Sequence, residues 1–335
     1  MTHLDQIVNA LTKKHVYIQT HNFPDPDAIS SAFGLKYLLK EKGIESTLCY
    51  KGKIDRYSTI QMIEILGIEI YNLEDLKDIS ENNEVILVDA QKGNANIIDM
   101  PGEEVVCIDH HPTFEKIEYI YSDIRPELGA CASIIASYYY ESGIEMRKDV
   151  ATALLYGIRI DTAGLTRGGD TLDYEMFYKM SDLGDNELIA SLTNNSIHYD
   201  ELKAYSNAIN SIKVFGDISF ANTGKECPET LIASISDFIL SLIEIRFSVV
   251  YSIKKDGIKL SIRNEIPELD AGKISFEALK DIGSGGGHAT MAGGYVPLEN
   301  VKYDEDEKIK IIIDKIQECF LTEIEKVYKI PETDI

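Results

Sequence analysis

"VYIQTHNFPDPDAISSA", Val16 to Ala32, is the stretch on which the reading of the fold turns. Its apolar start, Val16 to Thr20, reads as a buried strand. It passes through a turn stiffened by Pro24 and Pro26 into a helical pattern from Ala28 to Lys42. The turn holds His21, Asp25 and Asp27 within seven residues. Carboxylates this close repel one another unless positive charge lies between them.

The same alternation continues outward. Ser46 to Tyr50 is strand-like and Ser58 to Leu66 helical. Val85 to Val88 and Val105 to Ile108 are uninterrupted apolar runs, as expected of strands buried on both faces. Ala130 to Glu141 and Asp149 to Ile160 are helical. Strands alternating with helices predict an α/β fold with a parallel, Rossmann-like sheet over residues 1–185. From 186 to 211 a helical pattern without Pro or Gly is expected to be a connector. Residues 212–335 then change character. A hairpin is predicted around Gly216-Asp217, and a second β-pair, Ile245 to Ile253 with Gly257 to Arg263, around "KKDG". A glycine cluster, Gly283 to Gly287, and a closing helix, Lys308 to Lys329, complete a smaller α+β domain.

Composition narrows the function. The 335 residues are 44% hydrophobic, enough for a sizeable core, and carry 56 acids against 33 bases, a net charge of -23. Such a surface works against long polyanions but leaves room for a small phosphorylated ligand in a locally positive pocket. The five cysteines show no C-x-x-C spacing, so neither a disulfide framework nor a zinc knuckle is expected. "MTHLDQIVNALTKKH" has no apolar core of a signal peptide, and Leu231 to Ile253 is broken by Asp237, Glu244 and Arg246. A soluble, cytoplasmic protein with no membrane contact is expected.

Three apolar runs end in chargeable groups. "VYIQT" leads to His21, Asp25 and Asp27, "VILV" to Asp89, and "VVCI" to Asp109, His110 and His111. Ligands of open α/β sheets collect beyond the carboxyl ends of strands, so these sets can converge on one crevice. Asp161, where a helical run meets a glycine-rich loop, is a fourth contributor. Taken singly, Asp89 or Asp27 reads as a turn or helix-cap residue. Together the groups point to hydrolytic acid–base chemistry or a metal site. Imidazole with carboxylate suits Mn²⁺, with Mg²⁺, Fe or Co²⁺ as alternatives. Two cations would balance four aspartates and activate a bridging water for attack on phosphorus.

The order H-x-x-x-D-x-D, "VDA", "IDHH" and "GIRIDTAGLTRG" resembles the DHH phosphoesterase family. "KLSIRN", Lys259 to Asn264, and "GSGGGHATMAGG", Gly283 to Gly294, are similar to that family's DHH-associated C-terminal domain. The two-domain length looks most like the nanoRNase and pAp phosphatase group, less like the larger RecJ exonucleases. The manganese pyrophosphatases lack the G-G-G-H segment. The resemblance implies that His21, Asp25 and Asp89 hold one metal. Asp27, Asp89, His110 and Asp161 would hold a second, with Asp89 bridging two Mn²⁺ ions. It implies that His111 faces the substrate phosphate and that Asp109 orients a histidine. Arg263 and His288 would grip a nucleotide phosphate, with Gly285, Gly286 and Gly287 allowing close backbone approach. Motif one departs from the common pattern, carrying Pro26 where many members have Gly.

Hydrolysis of short oligonucleotides or of 3′,5′-bisphosphorylated mononucleotide is therefore expected, with the C-terminal domain closing over the substrate. Long nucleic acid is not expected as a partner, and a homodimer is left open. Rival readings are a phosphodiesterase for cyclic dinucleotides or their linear products, a polyphosphatase, and a non-catalytic nucleotide-binding module.

Overall fold

The computed structural model describes residues 1–77, 79–94, 96–113, 116–167, 169–194, 197–298 and 306–332. The chain divides into two units, Met1–Ser196 and Ile197–Ile335. No helix among the described residues is long and apolar enough to cross a membrane.

In the first unit six strands, β1 (His15–Gln19), β2 (Glu45–Tyr50), β3 (Ile70–Asn72), β4 (Glu84–Val88), β5 (Glu103–Asp109) and β6 (Tyr121–Ile124), form one sheet. Their order is β3-β2-β1-β4-β5-β6 and every pairing is parallel. The order reverses between β1 and β4, which opens a crevice at the carboxyl ends of those two strands. One face packs against helices α1 (His3–Ala10), α2 (Pro26–Glu41), α4 (Cys131–Ser142), α5 (Lys148–Asp161), α6 (Thr171–Leu183) and α7 (Asn186–Asn194). Helix α3 (Tyr57–Leu66) contributes Met62 to the same core. Tyr17, Val85, Leu87 and Cys107 on the opposite face pack under Ile97 and Met100 of the loop after β4. Burial on both faces explains why β4 and β5 read as unbroken apolar runs.

Helix α2 sits at the centre of this layer. Pro26 begins it, where the missing N–H costs nothing, and Asp25 is its N-cap, accepting from the N–H of Asp27 and Ala28. The cap that the sequence allowed for Asp27 thus belongs to Asp25. Gly157 of α5 lets the two helices close up: a Cβ there would lie 2.2 Å from Ser30 Oγ and 3.2 Å from the Asp27 Cα.

The second unit is a mixed sheet of β7 (Lys213–Phe215), β8 (Ile218–Lys225), β9 (Phe247–Ile253), β10 (Gly257–Asn264), β11 (Ser284–Gly287) and β12 (Met291–Pro297). The order is β11-β12-β10-β9-β8-β7, and only β8 and β9 pair in parallel, joined by the crossover helix α9 (Glu229–Leu240). Helices α10 (Ala271–Leu279) and α11 (Asp306–Glu325) bury one face with Ile258, Leu260 and Ile262. Helices α8 (Leu202–Ser211) and α9 cover Ala221 and Val250 on the other.

One sequence expectation changes. The stretch 186–211 is not one helical element: α7 packs Ile189 and Leu192 into the first core, whereas α8 packs Ala208 into the second unit. Asn195 and Ser196 lie outside the described residues. Within the glycine cluster, Ser284 to Gly287 form an edge strand paired with β12.

Candidate metal centre and active site

The parallel sheet delivers its chemistry at the switch point. His21 and Asp25 follow β1, Asp89 follows β4, His110 and His111 follow β5, and Asp161 ends α5. Three sets of side chains have ligand atoms within 4.8 Å of one another: His21, Asp25 and Asp89; Asp27, His110 and Asp161; and Asp89, His110 and His111. Asp89 joins the groups. One carboxylate oxygen lies 3.5 Å from His21 Nε2 and the other 3.3 Å from His110 Nε2. His110 Nε2 is also 3.3 Å from Asp161.

The two ligand imidazoles are aimed by the backbone. His21 Nδ1 lies 2.9 Å from the Asn22 carbonyl and His110 Nδ1 3.1 Å from that of Leu128. Each carbonyl accepts the Nδ1 proton, which turns Nε2 toward the carboxylates and fixes the tautomer a metal needs. His111 is held differently. Its Nδ1 is 2.8 Å from Asp109 Oδ1, which also accepts from the His110 N–H. Gln91 Nε2 donates to the other oxygen of Asp109 at 2.8 Å and to the His111 carbonyl. Asp109 is fully buried, stands in none of the three ligand sets, and holds His111 Nδ1 through one oxygen while Gln91 holds the other.

Asp27 has a second task. Its two oxygens accept from the N–H groups of Cys131 and Ala132 at 2.7 and 2.9 Å. They cap α4, whose own N-cap residue, Ala130, has no capping side chain. A helix N-terminus thereby points its partial positive charge at the acidic cluster.

Electrostatics shows what the cluster lacks. Burial, reinforced by Asp89 and Asp161, drives the Asp27 carboxyl well above the usual range. Burial raises Asp161 to about 6, with Asp25 and Asp89 adding to it and His110 opposing. Burial works against charge on His21 and His110, yet the neighbouring carboxylates lift both well above the ordinary imidazole value. Protons therefore do the work of positive charge when no cation is bound. Asp89 Oδ1 is buried and faces the imidazoles of His110 and His111 at 3.3 and 3.5 Å, a placement that fits a ligand atom shared with a cation. The donor set, oxygen and imidazole without thiolate, fits a hard or borderline divalent ion.

Backbone strain gathers at the same place. Of the five non-glycine residues with positive φ among the described residues, Asp89 belongs to the cluster, Phe23, Ala163 and Leu165 flank it in sequence, and Glu226 lies elsewhere. Gly168, the last residue of the fourth motif, lies outside the described residues.

The remaining expected residues assemble in the second unit. Arg263 of β10 is 93% buried, and a carboxylate already occupies its guanidinium. Nε donates to Asp237 Oδ1 at 2.6 Å and Nη2 to Oδ2 at 3.5 Å, while Nη1 donates to Ser261 Oγ and the Ile262 carbonyl. His288 follows β11, its N–H donating to the Met291 carbonyl across the turn. The glycines divide by face. A Cβ on Gly285 would strike Ser275 Oγ at 2.4 Å, and one on Gly287 the Ala292 Cα at 2.6 Å, so both serve packing. Of these three glycines, Gly286 is the one that faces open space. Sequence reasoning missed Gln91, the Leu128 carbonyl and Asp237, none of which carries a local signal.

Comparison with known proteins matches both units to family models. Residues 15–158 match the DHH family, N-terminal domain, and residues 216–321 match the DHHA1 domain. The chain belongs to the DHH family. An uncharacterized protein of Methanocaldococcus jannaschii is 32% identical over 297 residues, which is 88% of this chain and 61% of that protein. A probable manganese-dependent inorganic pyrophosphatase of Streptococcus thermophilus is 29% identical over 150 residues, 44% of this chain and 48% of its own length. The chain thus spans only part of these relatives. The crystal structure of an exopolyphosphatase-related protein from Bacteroides fragilis superposes with a TM-score of 0.73 at 17% identity, over 96% of this chain and 97% of that one. That likeness shows the fold.

Proposed function

We propose that the protein is a metal-dependent phosphoesterase that hydrolyses short oligonucleotides or 3′,5′-bisphosphorylated mononucleotide. The observation that carries the reading is the pair of ligand sets joined through Asp89 at the switch point of the sheet. Divalent cations, manganese by the name of the pyrophosphatase relative, would supply Lewis-acid polarisation and a water of lowered pKa there. His21, Asp25 and Asp89 would hold one cation, and Asp27, Asp89, His110 and Asp161 the second.

The chain's own groups do the rest. Asp109 accepts a hydrogen bond from the Nδ1–H of His111 and favours the imidazolium, so in that form the Nε2–H is left to pass its proton to the leaving oxygen or to steady the phosphoryl charge. Gln91 keeps Asp109 from turning. The DHHA1 match supports a nucleotide-binding role for the second unit, and a net charge of -23 disfavours long strands as substrates. No disulfide joins the five cysteines, which supports a cytoplasmic location.

The test is a substrate panel. The purified protein is incubated with Mn²⁺ and, in parallel, short RNA, pAp, cyclic di-AMP, its linear form, pyrophosphate and polyphosphate, with nucleotide and phosphate release measured. Turnover concentrated on short RNA or pAp is expected. Preference for pyrophosphate or polyphosphate would overturn the substrate assignment, and no turnover of any of them would sink the enzyme reading.

A further inference from the structure

Arg263 is poorly placed to greet a phosphate as it stands. Four of its five N–H groups are engaged: two by Asp237, one by Ser261 Oγ and one by the Ile262 carbonyl. The arginine is buried, whereas the Asp237 side chain on α9 is 45% exposed. The pair is close to neutral, and its accessible half is a carboxylate. Toward the sheet edge two positions carry no side chain. Ser261, next but one to Arg263 on β10, is in register with Gly293, which is in register with Gly286. A Cβ on Gly286 would meet nothing within 4 Å, and one on Gly293 only the Leu260 carbonyl at 3.9 Å. Gly286 and Gly293 thus share a sheet face with Ser261, whose hydroxyl is held by Arg263 Nη1.

We propose that Asp237 is a specificity-determining residue, which fills the fork of Arg263 and so selects a nucleotide end bearing hydroxyls over one bearing a terminal phosphate. A phosphomonoester carries close to two negative charges at neutral pH and needs Arg263 released from its carboxylate. A ribose hydroxyl needs only an acceptor, which Asp237 already presents. Within the proposed function, on which this inference rests, short oligonucleotides with hydroxyl ends are favoured over the bisphosphorylated mononucleotide.

The test reads binding rather than turnover. Adenosine 5′-monophosphate and adenosine are titrated, in EDTA, into the parent protein and into Asp237→Asn and Asp237→Glu, with thermal melts to confirm folding. Asp237→Asn keeps an acceptor for Arg263 Nε and removes the charge. It is expected to bind the monophosphate about tenfold more tightly while adenosine affinity stays within about twofold. Asp237→Glu retains the charge and should retain the parent's ratio. An unchanged ratio in Asp237→Asn, an equal weakening of both ligands, or binding of neither ligand by the parent would overturn the proposal. Hydrolysis is measured separately, so a shifted ratio in a protein without turnover would count against the proposed function alone.

Discussion

Asp161→Asn is predicted to stabilise the metal-free protein while removing its ability to gain stability from manganese. The carboxyl of Asp161 lies 3.3 Å from His110 Nε2, and its value is raised from the usual 3.8 to about 6. The folded chain therefore holds this proton more tightly than the unfolded chain does. The stability this brings is fully present below about pH 4 and is lost as pH rises through about 6. Above that window the charged carboxylate costs about 3 kcal/mol, from roughly two units at about 1.4 kcal/mol each. Asparagine fills the same space without the charge. Urea unfolding in EDTA should show parent and variant alike near pH 4, diverging to as much as about 3 kcal/mol in the variant's favour at pH 7.5. Added Mn²⁺ should stabilise the parent strongly and the variant little. A variant less stable than the parent in EDTA at pH 7.5 would refute the electrostatic reasoning. An undiminished response to Mn²⁺ would refute Asp161 as a ligand.

Other substitutions probe the supports of the site. Gln91→Leu removes the donor that holds Asp109 and should lower kcat about 10- to 100-fold with KM little changed, together with a shift in the pH profile; unaltered kinetics would show that His111 needs no such restraint. Gly157→Ala forces a methyl against Ser30 Oγ and the Asp27 backbone, so urea unfolding should report a loss of about 1–3 kcal/mol, and no loss would mean that α2 and α5 can part. Gly285→Ala should destabilise by a similar amount because Ser275 closes over it, whereas Gly286→Ala should stay within about 0.5 kcal/mol; equal effects would contradict the division of the glycines by face.

Much of this was legible in the sequence, for a physical reason. Parallel strands buried on both faces leave unbroken apolar runs, and their chemistry sits just beyond, so His21, Asp89 and His110 stood at readable positions. Short edge strands escaped. Strands β3, β6 and β11 have three or four residues each and too little pattern to stand out, and β11 is three-quarters glycine. Helix α6 was also unread, since its buried positions are few: Asp173, Met176 and Met180. What no local pattern could show is tertiary partnership. Asp27 caps a helix that starts 104 residues later, His110 is aimed by a backbone carbonyl, and Asp237 meets Arg263 across 26 residues. The break between α7 and α8 was hidden because both halves are helical and only their packing partners differ.

The most direct test of the central claim is an anomalous-scattering map from crystals grown with Mn²⁺. Two peaks are predicted, one touching His21, Asp25 and Asp89, the other touching Asp27, His110 and Asp161, with Asp89 in contact with both. A single peak, or manganese bound away from Asp89, would contradict the account.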